Sequence, residues 1–293
     1  TLLWLAFSGG EIFLRSDIVE IAQAFYRGNR PAIMLFSTNG LLTDVIREKI
    51  KTILSRCRES TIVVKLSLEG PREVHDAIRG EGSFQRTMAT CEELGGLLDQ
   101  YPNIELGINT VFCAQNQDVM EETISFVKGL DRIKTHTISL VRGKGRRNID
   151  MDKYRAASER LAGNLRTRES AIYRFRGARI KAAQDIVQRS LIYETEKHQR
   201  QLVPCCAGRL NLVLTETGDL YPCESFTMKM GNVRDSEYRL EKILRSPGAR
   251  AMLKSIRRDG CYCSHECYLM TNILFNAGMY PRLAREYLRL GRG

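Results

Sequence analysis

Short apolar runs alternate with amphipathic stretches along the first half of the chain. Each run is short enough for one buried strand, and each amphipathic stretch has apolar residues at helical spacing. Strands that alternate with helices in this way are typical of βα units, which build a parallel sheet. The predicted strands are Leu2–Phe7, Ala32–Phe36, Thr61–Leu68, Ile104–Phe112 and His136–Val141. The predicted helices are Asp17–Tyr26, Asp44–Arg58, Phe84–Gln100 and Val119–Leu130.

Glycines and polar residues follow these strands, in the segments 8–11, 37–40, 67–71 and 141–143. Glycine is also ordinary turn chemistry, so a single loop of this kind is weak evidence for a site. Four such loops would lie at the carboxyl edge of one parallel sheet, which is where such sheets bind their ligands. Together they predict a ligand site at that edge.

The pattern changes after residue 148. Residues 149–201 are helical in pattern and heavily charged, without a strand-like run, and are predicted to form a helical connector. Residues 202–293 are predicted to form a small cysteine-rich domain that opens with a hairpin over residues 210–223 and ends in helices. The predicted sheet domain therefore occupies residues 1–148.

Six of the nine cysteines lie in two groups in the last third of the chain. The predicted hairpin would carry Cys223 back towards Cys205. An extended segment puts Cys261 and Cys263 on one side, whereas a helix puts Cys263 and Cys267 one turn apart. Four converging thiolates are the ligands of an iron–sulfur cluster or a structural zinc, and a disulfide framework is the other interpretation. The groups are Cys205, Cys206 and Cys223, then Cys261, Cys263 and Cys267.

The cellular setting bears on this choice. The opening residues do not resemble a signal peptide, and no apolar run is long enough to span a bilayer, so a cytoplasmic protein is expected. Thiols stay reduced in the cytoplasm, and clustered cysteines there are more often ligands than bridges. Cys57, Cys91 and Cys113 stand alone in apolar segments and are interpreted as core residues.

The net charge of +11 raises the question of a nucleic-acid partner. The basic residues are spread along the chain, with denser stretches at 142–147, 166–181 and 282–292. No RNA-recognition or helix-turn-helix pattern accompanies them, so no nucleic-acid partner is expected and most of these charges are interpreted as solvated helix faces.

Three motifs carry a resemblance to a known family. They are the segment Ser8-Gly9-Gly10-Glu11, the segment from Leu66-Ser67 through Glu69-Gly70-Pro71 to Arg79-Gly80, and the spacing from Cys205 through Gly218 to Cys223. In this order they resemble the radical S-adenosylmethionine superfamily with a C-terminal SPASM or twitch-type auxiliary-cluster domain. The resemblance runs from Trp4 to about Ala277. It implies an incomplete parallel (β/α) TIM-like barrel followed by the connector and the cysteine-rich domain.

The resemblance also implies residue roles. The backbone of Gly9 and Gly10 and the carboxylate of Glu11 would hold the amino group of the methionine moiety of S-adenosylmethionine. Ser67 and Asn109 would meet the ribose and carboxylate of the same ligand. The other implied contacts are Asn39, at an equivalent strand end, and Arg142, which would reach the ligand or the substrate. In the auxiliary domain the implied ligands are Cys205, Cys223 and two of Cys261, Cys263 and Cys267, with Cys206 as the spare.

One family feature is not found in this sequence. The superfamily's three-cysteine loop, Cys-x3-Cys-x2-Cys, precedes the strand that ends in the Gly-Gly-Glu motif, and no stretch of the sequence supplies it. The expectation is that the chain is a fragment of a longer protein. As printed, it is expected to bind S-adenosylmethionine weakly and not to cleave it.

For the longer protein the resemblance implies two [4Fe–4S] clusters and S-adenosylmethionine as cofactors. One cluster would generate a 5′-deoxyadenosyl radical, which abstracts a hydrogen from a peptide or small-molecule substrate. A flavodoxin or ferredoxin would supply electrons to this oxidoreductase-like reaction, and no membrane partner is expected. The alternative is a non-catalytic protein that binds zinc or an iron–sulfur cluster and recognises peptides, because thiolates alone suit both metals.

Overall fold

The computed structural model describes residues 2–258 and 261–290. The chain divides into two compact units: one that runs to Arg179 and includes Leu290, which we call the sheet unit, and Ile180–Arg289, which we call the cysteine unit. Residue 1 of the predicted sheet domain and residues 259, 260 and 291–293 of the predicted cysteine-rich domain lie outside the described residues.

A five-stranded parallel sheet forms the centre of the sheet unit. The strands lie side by side in sequence order, and each is parallel to the next. This confirms the predicted α/β fold class, and the sheet is consistent with an incomplete TIM-like barrel. β1 is an edge of the described sheet, and Leu3 beside it is 58% exposed. The strands are β1 (Trp4–Phe7), β2 (Ile33–Thr38), β3 (Thr61–Ser67), β4 (Ile104–Phe112) and β5 (Thr135–Leu140).

Helices cover one face of this sheet. Phe36, Ile62 and Leu106 on that face are fully buried in the main apolar core, to which α1, α2 and α4 contribute. Burial of one such side chain contributes about 1.5–3 kcal/mol. The sequence pattern did not predict α3, which is rich in charged residues and buries His75. The helices are α1 (Ile18–Asn29), α2 (Thr43–Arg56), α3 (Arg72–Arg79), α4 (Ser83–Gly95), α5 (Met120–Lys128) and α6 (Met151–Arg166).

The other face of the sheet is polar towards the carboxyl ends of its strands. Side chains alternate between the two faces of a strand, so register neighbours share a face. Ser37 pairs with Lys65, Ser67 pairs with Asn109, and Asn109 pairs with Thr137. We call this the polar face. Four of these residues are half-buried, and Lys65 is buried.

The segment 172–178 covers the part of the polar face near the amino ends of the strands. Tyr173 packs in one apolar cluster with Ile33 and Val63. Arg174 donates to one oxygen of the Glu105 carboxylate, at 2.9 Å from its backbone nitrogen and 3.0 Å from Nε. Glu105 is 2% exposed, and its Oε2 has no hydrogen-bond partner among residues 2–258 and 261–290.

The cysteine unit combines helices with a small antiparallel sheet. The predicted hairpin is present as β6 and β7, and β8 pairs with β7 on its other side. Gly218 in the hairpin turn has a φ of +88°, and a Cβ there would lie 3.0 Å from Asn232 Oδ1, so glycine suits this position. The strands are β6 (Val213–Leu214), β7 (Asp219–Tyr221) and β8 (Gly231–Asn232).

Five α-helices belong to the described residues that follow the sheet unit or begin at its end. The first, α7 (Ala178–His198), begins at the boundary between the units. The others are α8 (Leu240–Leu244), α9 (Pro247–Arg258), α10 (Glu266–Leu274) and α11 (Tyr280–Arg289). In the described part of the chain, none of the helices combines the length and apolar composition needed to cross a membrane.

Candidate functional site

Glu11 joins the loops that follow β1 and β2. Its Oε2 accepts hydrogen bonds from the Thr38 hydroxyl at 2.9 Å and from the Asn39 backbone N–H at 2.8 Å. Its Oε1 accepts from the Phe13 N–H at 3.1 Å and so caps a short 3-10 turn. The carboxylate therefore fixes the loop. The two glycines that precede it are exposed, with open space where a side chain would lie.

Ser67 is the last residue of β3, and its register neighbour Asn109 lies in the carboxyl half of β4. Asn109 Oδ1 accepts from the Ser139 hydroxyl at 2.9 Å, so its N–H groups can face a ligand. Asn39 Oδ1 accepts from the Leu41 N–H at 2.9 Å and so stabilises its own loop. Polar groups from neighbouring strands thus meet at one edge of the sheet.

Arg142 lies at the same edge, directly after β5. It is exposed and occupies the N-cap of the short 3-10 helix Gly143–Arg146. Among the predicted ligand-binding residues, Glu11 accepts a hydrogen bond from the Asn39 backbone N–H, and Ser67 is the register neighbour of Asn109. Arg142 shares their edge of the sheet through the position of β5 next to β4.

A buried network, which the sequence analysis missed, holds the loop after β3. The Glu69 side chain is 2% exposed, forms an ion pair with Arg79 and accepts from the Val111 N–H at 2.7 Å. His75 Nδ1 accepts from the Glu69 N–H at 3.0 Å. The buried amide of Asn116 donates to the Glu69 and Val111 carbonyl oxygens, each at 2.9 Å. The network ties the loop after β3 to the end of β4.

The protonation of this network follows from its burial. Burial and the nearby Arg79 guanidinium lower the pKa of His75 from 6.5 to about 4. The imidazole is therefore neutral at neutral pH, as its role as acceptor from the Glu69 N–H requires. Backbone N–H groups of Phe84 and Gly82 lower the pKa of Asp76 at the other end of the same loop.

Lys65 is a second residue that the sequence analysis did not identify. Its ammonium group donates to the hydroxyls of Thr135 at 2.6 Å and Thr137 at 3.1 Å, and it lies 5.6 Å from the centre of the Tyr173 ring. Gly107 leaves room for it, because a Cβ there would lie 2.6 Å from Lys65 Nζ. The available signal was a lysine inside an otherwise apolar strand sequence.

In the cysteine unit, four of the five predicted metal ligands line one cavity: Cys205, Cys223, Cys261 and Cys263. Cys261 and Cys263 precede α10 in a segment without helix, where alternate residues can point to the same side. The hairpin brings Cys223 to the same cavity as Cys205. Thr195, Gln201 and Asn272 are among the polar residues of the cavity wall.

Backbone N–H groups surround these sulfur atoms. The Ala207 N–H donates to Cys205 Sγ at 3.4 Å. Burial raises the pKa of Cys223, while the N–H groups of Ser225 and Phe226 oppose this rise. Burial also raises the pKa of Cys263 to about 11, against the N–H of His265. N–H groups that donate to a sulfur favour its thiolate form. Burial disfavours that form, so a bound cation would be needed to stabilise the thiolates.

The mutual arrangement of the thiols bears on the kind of metal group that they could hold. Burial, then the neighbouring Cys205 and Cys223, raise the pKa of Cys261, so the thiols lie near enough to repel as thiolates. Yet within the described residues no three His, Cys, Asp or Glu side chains converge as they would on a single metal ion. Zinc needs its ligands at about 2.3 Å from one point. A four-iron cluster takes one thiolate on each iron, so its ligands surround a larger group.

The remaining cysteines differ in their surroundings. Cys267 is exposed, and neither it nor Cys206 is among the residues that line the cavity. Cys57 and Cys91 are buried in the apolar core of the sheet unit, and burial raises the pKa of each to about 11. Cys113 is half-buried in the same unit.

Comparisons with known proteins identify a domain family and two relatives that this chain resembles. Residues 205–268 match the SPASM family, an iron–sulfur cluster-binding domain. The AdoMet-dependent heme synthase of Methanosarcina barkeri is 27% identical over 249 residues, which cover 80% of this chain and 66% of that protein. The mycofactocin maturase MftC of Mycolicibacterium smegmatis is 31% identical over 128 residues, 41% of this chain and 28% of that protein. The chain thus spans just under two thirds of the first relative's length and a smaller part of the second's.

Proposed function

We propose, on the premise that this chain is a radical S-adenosylmethionine protein with a SPASM domain, that its cysteine unit holds one auxiliary iron–sulfur cluster. The proposed ligands are Cys205, Cys223, Cys261 and Cys263. The single observation that carries this choice is that these four sulfurs line one cavity, whereas Cys267 is exposed.

When bound, an iron–sulfur cluster supplies one-electron chemistry. The residues of the chain do the rest. The four cysteines would hold the group away from water, because Cys223 is buried and the other three are half-buried. The N–H groups of Ala207 and His265 would stabilise charge on the sulfurs to which they donate.

For the sheet unit we propose an S-adenosylmethionine site at the carboxyl edge. The exposed peptide groups of Gly9 and Gly10 suit the ammonium and carboxylate of a methionine moiety. Glu11 supports this site by holding the loop that contains the two glycines, since its carboxylate already accepts three hydrogen bonds. The hydroxyl of Ser67 and the amide of Asn109 suit ribose hydroxyls.

Asn39 and Arg142 complete this proposal. Asn39 shapes the loop after β2, and its backbone N–H is held by Glu11. The guanidinium of Arg142 would meet a carboxylate of the ligand or of the substrate, since it is exposed at the same edge. The printed sequence holds no Cys-x3-Cys-x2-Cys loop. Cleavage of S-adenosylmethionine is therefore proposed only for a protein that joins such a loop to this chain.

The substrate class is proposed from the relatives. A maturase among them supports a peptide substrate, and a heme synthase supports a small molecule. The net charge of +11 suits an acidic electron donor such as a flavodoxin or ferredoxin. A reducing compartment such as the cytoplasm suits cysteines that must stay thiolates.

Anaerobic reconstitution with iron and sulfide tests the cluster. The chain should turn brown and take up about four irons. Replacing Cys205, Cys223, Cys261 or Cys263 by alanine, one at a time, should reduce the iron content severely. C267A should retain it. A colourless chain with one zinc per molecule would contradict the proposal, and loss of iron in C267A but not in C261A would reassign the ligands.

A further inference from the structure

Asn272 combines burial with an unused donor at the wall of the cysteine cavity. It lies on α10 and is 3% exposed. Its Oδ1 accepts a hydrogen bond from the Cys206 N–H at 2.7 Å. Its Nδ2 makes no hydrogen bond among the described residues, and the residue lines the cavity together with the four cysteines. An amide donor at a cavity wall is available to a group bound in that cavity.

The geometry of the amide restricts where this donor can point. The carbonyl oxygen is committed to the backbone next to Cys205, so the amide cannot rotate freely. The NH2 group is left at the cavity wall, which the four cysteine side chains also line.

We propose that Asn272 is a positioning residue of the auxiliary site that donates a hydrogen bond to a sulfur of the bound cluster. This inference rests on the proposed cluster. Its oxygen would hold the Cys205–Cys206 peptide in place, while its N–H stabilises the reduced, more negative cluster. Hydrogen bonds to cluster sulfurs are one of the means by which proteins set reduction potentials.

The test compares midpoint potentials of the reconstituted chain, followed by electron paramagnetic resonance. N272L removes the donor, and N272D keeps the acceptor for the Cys206 N–H but loses the donor. In both variants the cluster should be harder to reduce than in the unmodified chain. The reduced-to-oxidised ratio at a fixed potential should fall about tenfold in N272L, which for one electron is a shift of about 59 mV. N272D should shift further, because it adds a negative charge.

Asn211 supplies the matched control. Its side chain accepts from Thr271 at 2.5 Å and donates to the Cys267 carbonyl at 3.2 Å, and it does not line the cavity. N211L and N211D should leave the potential near that of the unmodified chain. Equal potentials in N272L and N211L, at equal iron content, would overturn the inference while leaving the proposed cluster intact.

A spectroscopic measurement on the unmodified chain covers the case in which both Asn272 variants lose iron. When the asparagine side chains are labelled with 15N, pulsed electron paramagnetic resonance of the reduced cluster should detect one coupled nitrogen. The same signal should persist in labelled N211L. No coupling from an asparagine side chain would overturn the inference. Failure of the unmodified chain to bind a cluster would instead overturn the proposed function, and the inference with it.

Discussion

The carboxyl edge of the sheet and the cysteine cavity satisfy their polar groups by different means. At the edge, Glu11 and Glu69 accept hydrogen bonds from backbone and side-chain donors of the chain itself. In the cavity, burial raises the pKa of Cys223 and Cys263. Within the described part of the chain, no lysine or arginine side chain lines this cavity. The carboxylates of the edge are stabilised by groups of the chain itself, whereas the thiolates of the cavity would be stabilised by a bound metal group.

This difference teaches which part of the protein depends on metal. A network such as that around Glu69 stabilises the fold whether or not a ligand is present, because each buried group already has its partner. A set of buried cysteines contributes to folding mainly through the group it binds, since metal binding and folding are coupled. The sheet unit should therefore tolerate loss of metal, and the cysteine unit should not.

The largest expected effect comes from removal of the metal group. Structural zinc in zinc-finger peptides binds with about 10–16 kcal/mol, which rivals the whole stability of a domain at about 5–15 kcal/mol, and we expect a cluster held by four cysteines to matter comparably. Chelation of iron, or C223A, should therefore abolish slow amide exchange in α7 and α10 while β2, β3 and β4 keep theirs. Hydrogen exchange read by mass spectrometry measures both regions at once.

C113A is the matched control for this experiment, because Cys113 is half-buried and lies in the sheet unit. It should bind iron normally and protect α10 as the unmodified chain does. If α10 is equally protected with and without iron, the cavity is as self-sufficient as the sheet edge, and the comparison fails.

Breaking the buried ion pair should destabilise the sheet unit by the next largest amount. E69A leaves Arg79 and the Val111 N–H without their carboxylate. Removing one partner of a buried pair costs about 3–5 kcal/mol, and we expect the lower end because the Arg79 side chain is 34% exposed. Trp4, the one tryptophan of the chain, lies on β1 and reports urea unfolding of this unit by fluorescence.

Glu73 offers the comparison variant, since it is exposed on α3 in the same loop region. E73A should change the unfolding free energy by less than about 0.5 kcal/mol, as surface substitutions usually do. If E69A behaves like E73A, then the network does not hold the edge.

Particular residues show how far the sequence could predict this molecule. Ile104–Phe112 was predicted as a strand with the observed bounds, because apolar residues recur at every second position over most of its length. The alternation of an extended chain likewise indicated that Cys261 and Cys263 could share a side. Lys65 and Glu105 were missed because a buried charge is recognisable only when the threonine or arginine that pairs with it is known. Those partners come from remote parts of the chain.

The pH dependence of the sheet unit provides the third prediction. The pKa of His75 is lowered in the folded state to about 4, so the unfolded chain binds a proton first as the pH falls. Stability from this residue is fully present above pH 6.5 and is lost as the pH falls towards 4, by about 3 kcal/mol. H75N keeps an acceptor for the Glu69 N–H but does not titrate. Its urea midpoint should therefore fall less than that of the unmodified chain between pH 6.5 and 4, and parallel losses would contradict the assignment.

The smallest expected effect concerns Gly107 on the polar face. A Cβ at this position would lie 2.6 Å from Lys65 Nζ and 2.9 Å from the Thr135 carbonyl oxygen. Lys65 could shift only by giving up its bonds to two hydroxyls, and the backbone carbonyl could move only with β5. Overpacking of this kind costs about 1–3 kcal/mol, so G107A should lower the urea midpoint followed at Trp4.

Gly163 gives the opposite sign in the same unit. It lies inside α6, and a Cβ there would meet open space. Alanine is favoured over glycine in a helix interior by about 0.8–1.0 kcal/mol, so G163A should raise the midpoint that G107A lowers. Equal shifts for the two variants would show that the contacts around Lys65 do not restrict the polar face. The stability of the sheet unit would then depend less on the packing of its polar face than the stability of the cysteine unit depends on its metal.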